Sequence, residues 1–290
     1  VGVFVYDTGV DSERFTAICS AHPDVSGEAG TNVGYAGGAN RVVARMRGLV
    51  DGPNQTVQPD YLLILNPDIE LDDDFAERLI ESVSRDPAIA IATGKLLRAD
   101  RAVLDSAGIA FPRHRRPRDR GSEEPDRGQY DIAERVDAVS GAALLVRTAL
   151  VDDLSLEGEL FDESFFAYHE DTDLCWRARR FGYAIFYEPA AVAVHKRGWQ
   201  RSARRQIPVE IRRHSFKNHY LQLIKNETWS GLLRNLPWLL GWEVLRLGFV
   251  VLKDRSMLAG YREAWRALPV ARRRRRLVEA RAGLRGHARR

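Results

Sequence analysis

The residues best suited to chemistry in this 290-residue chain are carboxylates set among aromatic side chains in FDESFFAYHEDTDLCWRARRFGY, residues 161–183. Glu170 and Asp171 open a predicted helix there. Free backbone N–H groups and the dipole at a helix start favour an ionised carboxylate. An ionised carboxylate beside an aromatic wall is what a general base requires. A second acidic element, LLILNPDIELDDDF (62–75), sets Asn66 and Asp68 just past an apolar run of strand length. Asn-Pro-Asp is also strong turn chemistry. A base and a metal-type carboxylate, each following a hydrophobic strand, point to group transfer from a phosphorylated donor.

Several elements must position these groups. VGVFVY (1–6) reads as a buried strand ended by Asp7-Thr8-Gly9, and 11–21 as a helix. TNVGYAGGAN (31–40) reads as a Gly-rich loop leading into a helix over 40–49. A polar loop with Gly52 and Pro53 then precedes a strand over 61–65. Phe75, Leu79, Ile80 and Val83 give 72–85 a helical period, and 89–93 is a further strand. This alternation argues for an α/β sheet with ligands at the carboxyl ends of its strands. Residues 113–128, rich in Arg, Pro and acids, are expected as an exposed loop. Residues 138–146 read as a strand leading into a helix. Short strands are expected over 183–187 and 191–194, the latter ending at His195. A basic loop (196–205) and a mixed helix (207–226) follow.

A hydrophobic fraction of 44% supports a real core. Two cysteines, Cys19 and Cys175, make no disulfide framework and lack metal spacing, which fits a reducing cytoplasm. The N-terminus has no basic start followed by an apolar run, so no signal peptide is expected. The net charge of +4 is uneven: residues 253–290 hold 13 Lys/Arg against 3 Asp/Glu, a net of +10, leaving −6 for the rest. Residues 232–252 are very apolar but contain Arg234, Glu243 and Arg246. Central charges make spanning costly, so a helix lying in a membrane interface is expected. The Arg272–Arg276 run extends that expectation to anionic lipid. No nucleic-acid recognition motif accompanies the basic charge.

Four segments together (TNVGYAGGAN, LLILNPDIELDDDF, VSGAALLVR at 139–147 and the 161–183 segment) resemble family 2 glycosyltransferases of the GT-A fold, in their bacterial rhamnosyltransferase-like branch. The resemblance runs in order over residues 1 to about 225 and implies a Rossmann-like mixed sheet flanked by helices; 226–290 would be an amphipathic, basic, membrane-associating helical tail. It implies an inverting transfer of a sugar, a deoxysugar such as rhamnose, from a nucleotide-diphospho-sugar to a lipid-linked or envelope glycan. Asp171 is then the base and Glu170 an acceptor-orienting neighbour. Asp68 becomes a ligand of Mg²⁺ or Mn²⁺, with Asn66 in place of the first acid of the usual Asp-x-Asp, and His195 a candidate second ligand. Asp7, Asn32, Gly34, Gly38 and Asn40 are expected around the donor, with Asn66. Lys196, Arg197, Arg201, Arg204 and Arg205 are candidate phosphate clamps. Asp173 and Arg177 are expected only as an i,i+4 pair.

Members of that family place a strand and helix ahead of the Asp7 element, so the sequence is expected to be N-terminally short, with one wall of the donor site missing. The protein would work at the cytoplasmic face of the plasma membrane. Two alternatives stand beside this reading: a sugar nucleotidyltransferase, and a catalytically dead sugar- or membrane-binding protein.

Overall fold

A computed structural model describes residues 2–9, 12–48, 59–197 and 207–288. The expected clamp residues Arg201, Arg204 and Arg205, and the Gly52-Pro53 loop, lie outside this set.

The chain begins with β1 (Val3–Asp7), α1 (Ser12–Ala21) and β2 (Val25–Ala29), the two strands pairing in parallel. Among the described residues this pair shares no strand pairing with the main sheet. The expected buried strand is therefore largely open: Val3 and Val5 are 45% and 39% exposed. Next comes α2 (Gly34–Gly48), which starts six residues before the sequence expectation and absorbs most of the Gly-rich segment.

The main sheet is built from β3 (Tyr61–Leu65), β4 (Ile69–Leu71), β5 (Ile89–Leu97), β6 (Leu104–Ser106), β9 (Glu134–Arg135), β10 (Ala143–Arg147) and β11 (Ala184–His195). A separate hairpin joins β7 (Ile109–Ala110) to β8 (Arg118–Asp119). The path runs β3-β10-β5-β11-β4, with β6 on β5 and β9 on β11. β5 and β11 are parallel; β10 and β4 run against their neighbours. β5 is buried at all nine positions, as a central strand covered on both faces must be.

Side-chain alternation divides the core. Leu62, Ile64, Ile91, Leu144, Val146, Ile185 and Tyr187 face one layer with Ala36, Leu174 and Val278. Ala92, Ala143, Leu145 and Ala184 face Phe75, Leu79 and Val83 of α3 (Phe75–Arg85). The first layer draws on α2, α5 (Glu170–Arg180) and α8 (Leu258–Ala288); the short α4 (Val151–Leu154) adds Val151 and Leu154.

Two expected strands merge into β11. Pro189, Ala190 and Ala191 interrupt its ladder, and its register with β5 shifts between Glu188 and Val192. Pro lacks the N–H that a ladder needs. Gly94 accommodates the irregularity, since a Cβ there would lie 2.1 Å from the Ala191 carbonyl oxygen.

Beyond β11 come α6 (Val209–Asn226) and α7 (Trp229–Lys253). Helix α8 then returns to the body instead of trailing away, and its Val278 is fully buried in the main core. The Arg272–Arg276 run is largely engaged by the protein itself. Arg273 pairs with Glu157 at 2.7 Å, Arg274 with Glu159 at 2.7 Å and with Asp162, and Arg275 donates to the Ile224 carbonyl at 2.8 Å. The expectation that this run faces lipid is corrected for these three: the acids of 157–162 hold two of its five cations, and the Ile224 carbonyl and Glu279 hold a third.

Candidate active site

The Asn-Pro-Asp turn carries Asp68 from the end of β3 into β4. The Asn66 N–H donates to the Ala142 carbonyl (2.9 Å), which seats this turn beside Gly141. The Gly141 N–H in turn donates to Asp171 Oδ2 at 2.8 Å. The two acidic elements, far apart in sequence, thus meet across two adjacent residues, Gly141 and Ala142. Tyr35 closes the corner by donating to the Gly141 carbonyl at 2.6 Å.

His195 ends β11 beside Asp68, its Nε2 3.3 Å from Asp68 Oδ1. Its Nδ1 lies 2.7 Å from Oδ2 of the fully buried Asp105. A carboxylate on Nδ1 fixes the tautomer that leaves the Nε2 lone pair outward. Asp68 is partly exposed while His195 is buried, so the pair presents one carboxylate and one imidazole towards the open side. This donor set fits a divalent cation that takes its remaining ligands from substrate oxygens. No cluster of three or more His, Cys, Asp or Glu with metal-ligand geometry occurs among the described residues. Asp105 had no sequence signal: Leu-Asp-Ser on a short strand reads as ordinary edge structure.

Asp171 sits in the first turn of α5. Its Oδ1 accepts from the Thr172 N–H at 2.6 Å and its Oδ2 from Gly141. Burial nevertheless outweighs these N–H groups and pushes the carboxyl up to about 6. The expectation that the helix start simply holds the acid ionised is corrected: desolvation wins over the dipole. Glu170 is buried with Oε2 lacking a hydrogen-bond partner. Burial, then the Asp171 charge, lifts its carboxyl well above the ordinary range. Burial and mutual repulsion therefore both disfavour ionising the two adjacent acids together.

The backbone entering α5 is strained. Phe166, Tyr168 and His169 have φ of 64°, 71° and 72°, a region that non-glycine residues rarely occupy. Helix α6 enforces this shape with a buried polar face that sequence reasoning missed. Asn218 Nδ2 donates to the carbonyls of Phe165, Ala167 and Tyr168 at 2.8, 2.9 and 2.7 Å. Gln222 Oε1 accepts from Thr172 Oγ1 at 2.9 Å. Lys225 joins Asp162 and Asp173 at 2.5 and 2.7 Å. Asn226 donates to Asp173 at 2.7 Å. Spacings of four, three and one put these residues on one stripe. The Asp173–Arg177 pair is present at 2.9 Å, but it is buried and belongs to this network.

Of the expected donor residues, Asp7 accepts from the Gly9 N–H at 2.8 Å and Asn32 from the Gly34 N–H at 2.9 Å. Gly34 takes φ +73°, and a Cβ there would lie 2.3 Å from the Phe166 carbonyl oxygen. Its requirement is thus contact with the strained loop. Gly38 lies inside α2 against the Tyr6 ring, not in a ligand-cradling loop. Asn40 is engaged by protein: it donates to the Phe161 carbonyl (2.8 Å) and accepts from the Phe161 N–H (2.9 Å). Lys196 pairs with Glu70, and Arg197 Nη2 lies 3.3 Å from Asp105. A groove of about 490 Å³ lined by Glu134, Asp137 and Arg179 does not include Asp68, Asp171 or His195.

The fold is that of the GT-A glycosyltransferases. It is similar to GalNAc-T7 in complex with UDP, GalNAc and Mn²⁺ (TM-score 0.54, 12% identity, 77% of this chain and 41% of that one). It is also similar to the mannosyltransferase PcManGT of Pyrobaculum calidifontis in complex with GDP-Man and Mn²⁺ (TM-score 0.50, 14% identity, 97% of this chain and 76% of that one). No family model matches the chain. In sequence it is rhamnosyltransferase-like: it is 27% identical over 214 residues to the N-acetylglucosaminyl-diphospho-decaprenol L-rhamnosyltransferase of Mycobacterium tuberculosis, in strains CDC 1551 / Oshkosh and ATCC 25618 / H37Rv. That match takes in 67% of this chain and spans 66% of the relatives' length.

Proposed function

We propose that this protein is an inverting glycosyltransferase that moves a sugar, rhamnose or a related deoxysugar, from a nucleotide-diphospho-sugar to a hydroxyl of a lipid-linked envelope glycan. The observation that carries this reading is the convergence of Asp171, pushed up to about 6, with the Asp68–His195 pair through Gly141 and Ala142. The rhamnosyltransferase likeness supplies the sugar and acceptor class, and the Mn²⁺ complexes of both structural neighbours support a divalent metal.

Asp171 takes the proton of the acceptor hydroxyl as its oxygen bonds to the anomeric carbon. The bond from that carbon to the donor diphosphate breaks in the same displacement, so the configuration inverts and one base suffices. A group near pKa 6 is largely ionised at neutral pH yet still basic enough to accept the proton. Protonated Glu170 donates a hydrogen bond to a sugar oxygen through its otherwise unpartnered Oε2. Asp68 and His195 would hold a divalent cation, which supplies positive charge beside the departing diphosphate. The exposed apolar face of α7 keeps the enzyme at the cytoplasmic leaflet, where a lipid-linked acceptor is presented. A thermal-shift screen of nucleotide sugars with and without Mn²⁺ tests the reading. Metal-dependent stabilisation by one donor supports it; stabilisation by a nucleoside triphosphate with pyrophosphate release would replace it with a nucleotidyltransferase.

A further inference from the structure

The segment RHRRPRDR (113–120) was expected to be a solvated loop. In the structure it lies along α7. Arg113 stacks over Trp238 at 4.3 Å, His114 stacks on Trp242 at 4.5 Å, and Arg118 sits 5.8 Å from the Trp242 ring. Arg115 is paired with Glu227. No carboxylate among the described residues lies within ion-pair distance of Arg113 or Arg118.

One turn beyond Trp242, Arg246 is 92% buried, and its Nη1 lacks a hydrogen-bond partner; Glu243 stands 3.7 Å away. Trp242 Nε1 is likewise buried without an acceptor. A buried donor without an acceptor costs free energy unless a ligand supplies one. The Trp242 N–H therefore asks for an acceptor, while Arg246, ion-paired with Glu243 and stacked over Phe216 at 3.9 Å, adds positive charge one turn away. The local field agrees: burial, then Arg116 and Arg246, push His169 down to about 3, so excess positive charge reaches the residue before Glu170.

This basic corner lies between the catalytic acids and an apolar surface. Asp119, next to Arg118, is close enough to Asp171 to raise its pKa. On the other side, α7 exposes Leu240, Val244, Leu245 and Leu252, the last 77% open. A single molecule with a phosphorylated head and a long apolar chain would satisfy both surfaces.

We propose that the 113–118 loop and the Trp238–Trp242–Arg246 edge of α7 form the docking site for the phosphate or diphosphate head of an isoprenoid-linked acceptor, whose chain lies along exposed α7. This rests on the transferase reading for its acceptor, but not for its binding test. The head would sit beside Asp171 with the sugar hydroxyl turned towards it.

The test is flotation of the intact chain with phosphatidylcholine vesicles carrying polyprenyl diphosphate, against charge-matched vesicles carrying phosphatidylglycerol, with soluble pyrophosphate as competitor. The expected result is preferential binding to polyprenyl diphosphate, competed weakly by pyrophosphate. The Arg113→Gln/Arg118→Gln variant, folded by circular dichroism, should bind those vesicles about tenfold less well, as loss of charge-assisted bonds requires. Trp242→Phe, which keeps the ring and removes the N–H, should weaken binding in the same direction. Arg272→Gln/Arg276→Gln on α8 should bind like the parent. Equal binding to both vesicle types, or unchanged binding by the Arg113/Arg118 variant, would overturn the proposal. Pyrophosphate binding as tight as vesicle binding would overturn its lipid half. Selective vesicle binding without sugar transfer would support the docking site while removing the transferase reading.

Discussion

His195 Nε2 lies 3.3 Å from Asp68 Oδ1, at the junction of the longest strand of the sheet and the Asn-Pro-Asp turn. Behind the imidazole, Asp105 accepts from Nδ1, a carboxylate–imidazole arrangement that would orient His195 if it ligates the proposed cation.

That arrangement predicts the effect of a substitution one residue removed from any metal. Asp105→Asn should weaken Mn²⁺ binding in the presence of nucleoside diphosphate by about 10–100-fold, because it alters the tautomer and basicity of His195. Isothermal titration with Mn²⁺ and UDP or TDP measures it. Asp68→Ala should lose more. Unchanged Mn²⁺ affinity in both variants would remove this pair from metal binding.

The elevated carboxyl of Asp171 predicts a pH-dependent stability difference. An acid whose pKa is higher folded than unfolded binds protons better in the native state, so it destabilises progressively as pH rises between the two values. For Asp171 the window runs from 3.8 to about 6. Asp171→Asn removes that cost, and its amide oxygen can still accept one of the two N–H groups. The Tm difference, variant minus parent, should grow across this window and grow further where Glu170 ionises, because only the parent must then hold two adjacent buried charges. The gain corresponds to about 1–2 kcal/mol, below the full shift because the side chain is not entirely sealed from water. A difference independent of pH would contradict the assignment.

Asn218 predicts a loss of geometry. The two N–H groups of its amide are shared among three carbonyls of a loop with three non-glycine residues at positive φ. Asn218→Ala should cost about 2–4 kcal/mol, since several buried carbonyls lose their donor and the strained turn loses its tether. Urea unfolding gives the stability. Transfer should fall by more than the unfolded fraction explains, because Glu170 and Asp171 follow directly on that loop. Normal turnover per folded molecule would make Asn218 purely structural.

The sequence readily disclosed elements defined by short apolar runs or clear periods. Tyr61–Leu65 is a strand at the expected bounds, and α3 carries its expected Phe75, Leu79 and Val83. Strand β2 stayed hidden because VSGEA holds little apolar pattern beyond Val25. Helix α2 begins inside the glycines, which have low helix propensity; the Phe166 carbonyl, accepting from the Ala36 N–H at 3.1 Å, helps to secure that start. The polar stripe on α6 was visible only as a mixed helix, since its partners lie about fifty residues earlier. The roles of Arg113, Arg118 and Arg274 likewise depend on distant aromatic rings and acids that no local window includes. The acidic pair and the Asp68–His195 pair were legible by type and position, whereas their junction at Gly141 and Ala142 is a product of the fold.

In the proposed reaction Asp171 is the base that accepts the acceptor proton. The most direct measurement compares Asp171→Asn with the parent for donor affinity and for transfer rate across pH, in the same buffer with Mn²⁺. A base at this position requires unchanged donor affinity, a transfer rate lower by about 10²–10⁴-fold, and loss of the rise in rate that the parent shows through about pH 6. Equal loss of donor binding and transfer, or a variant that keeps the parent's pH profile, would contradict it.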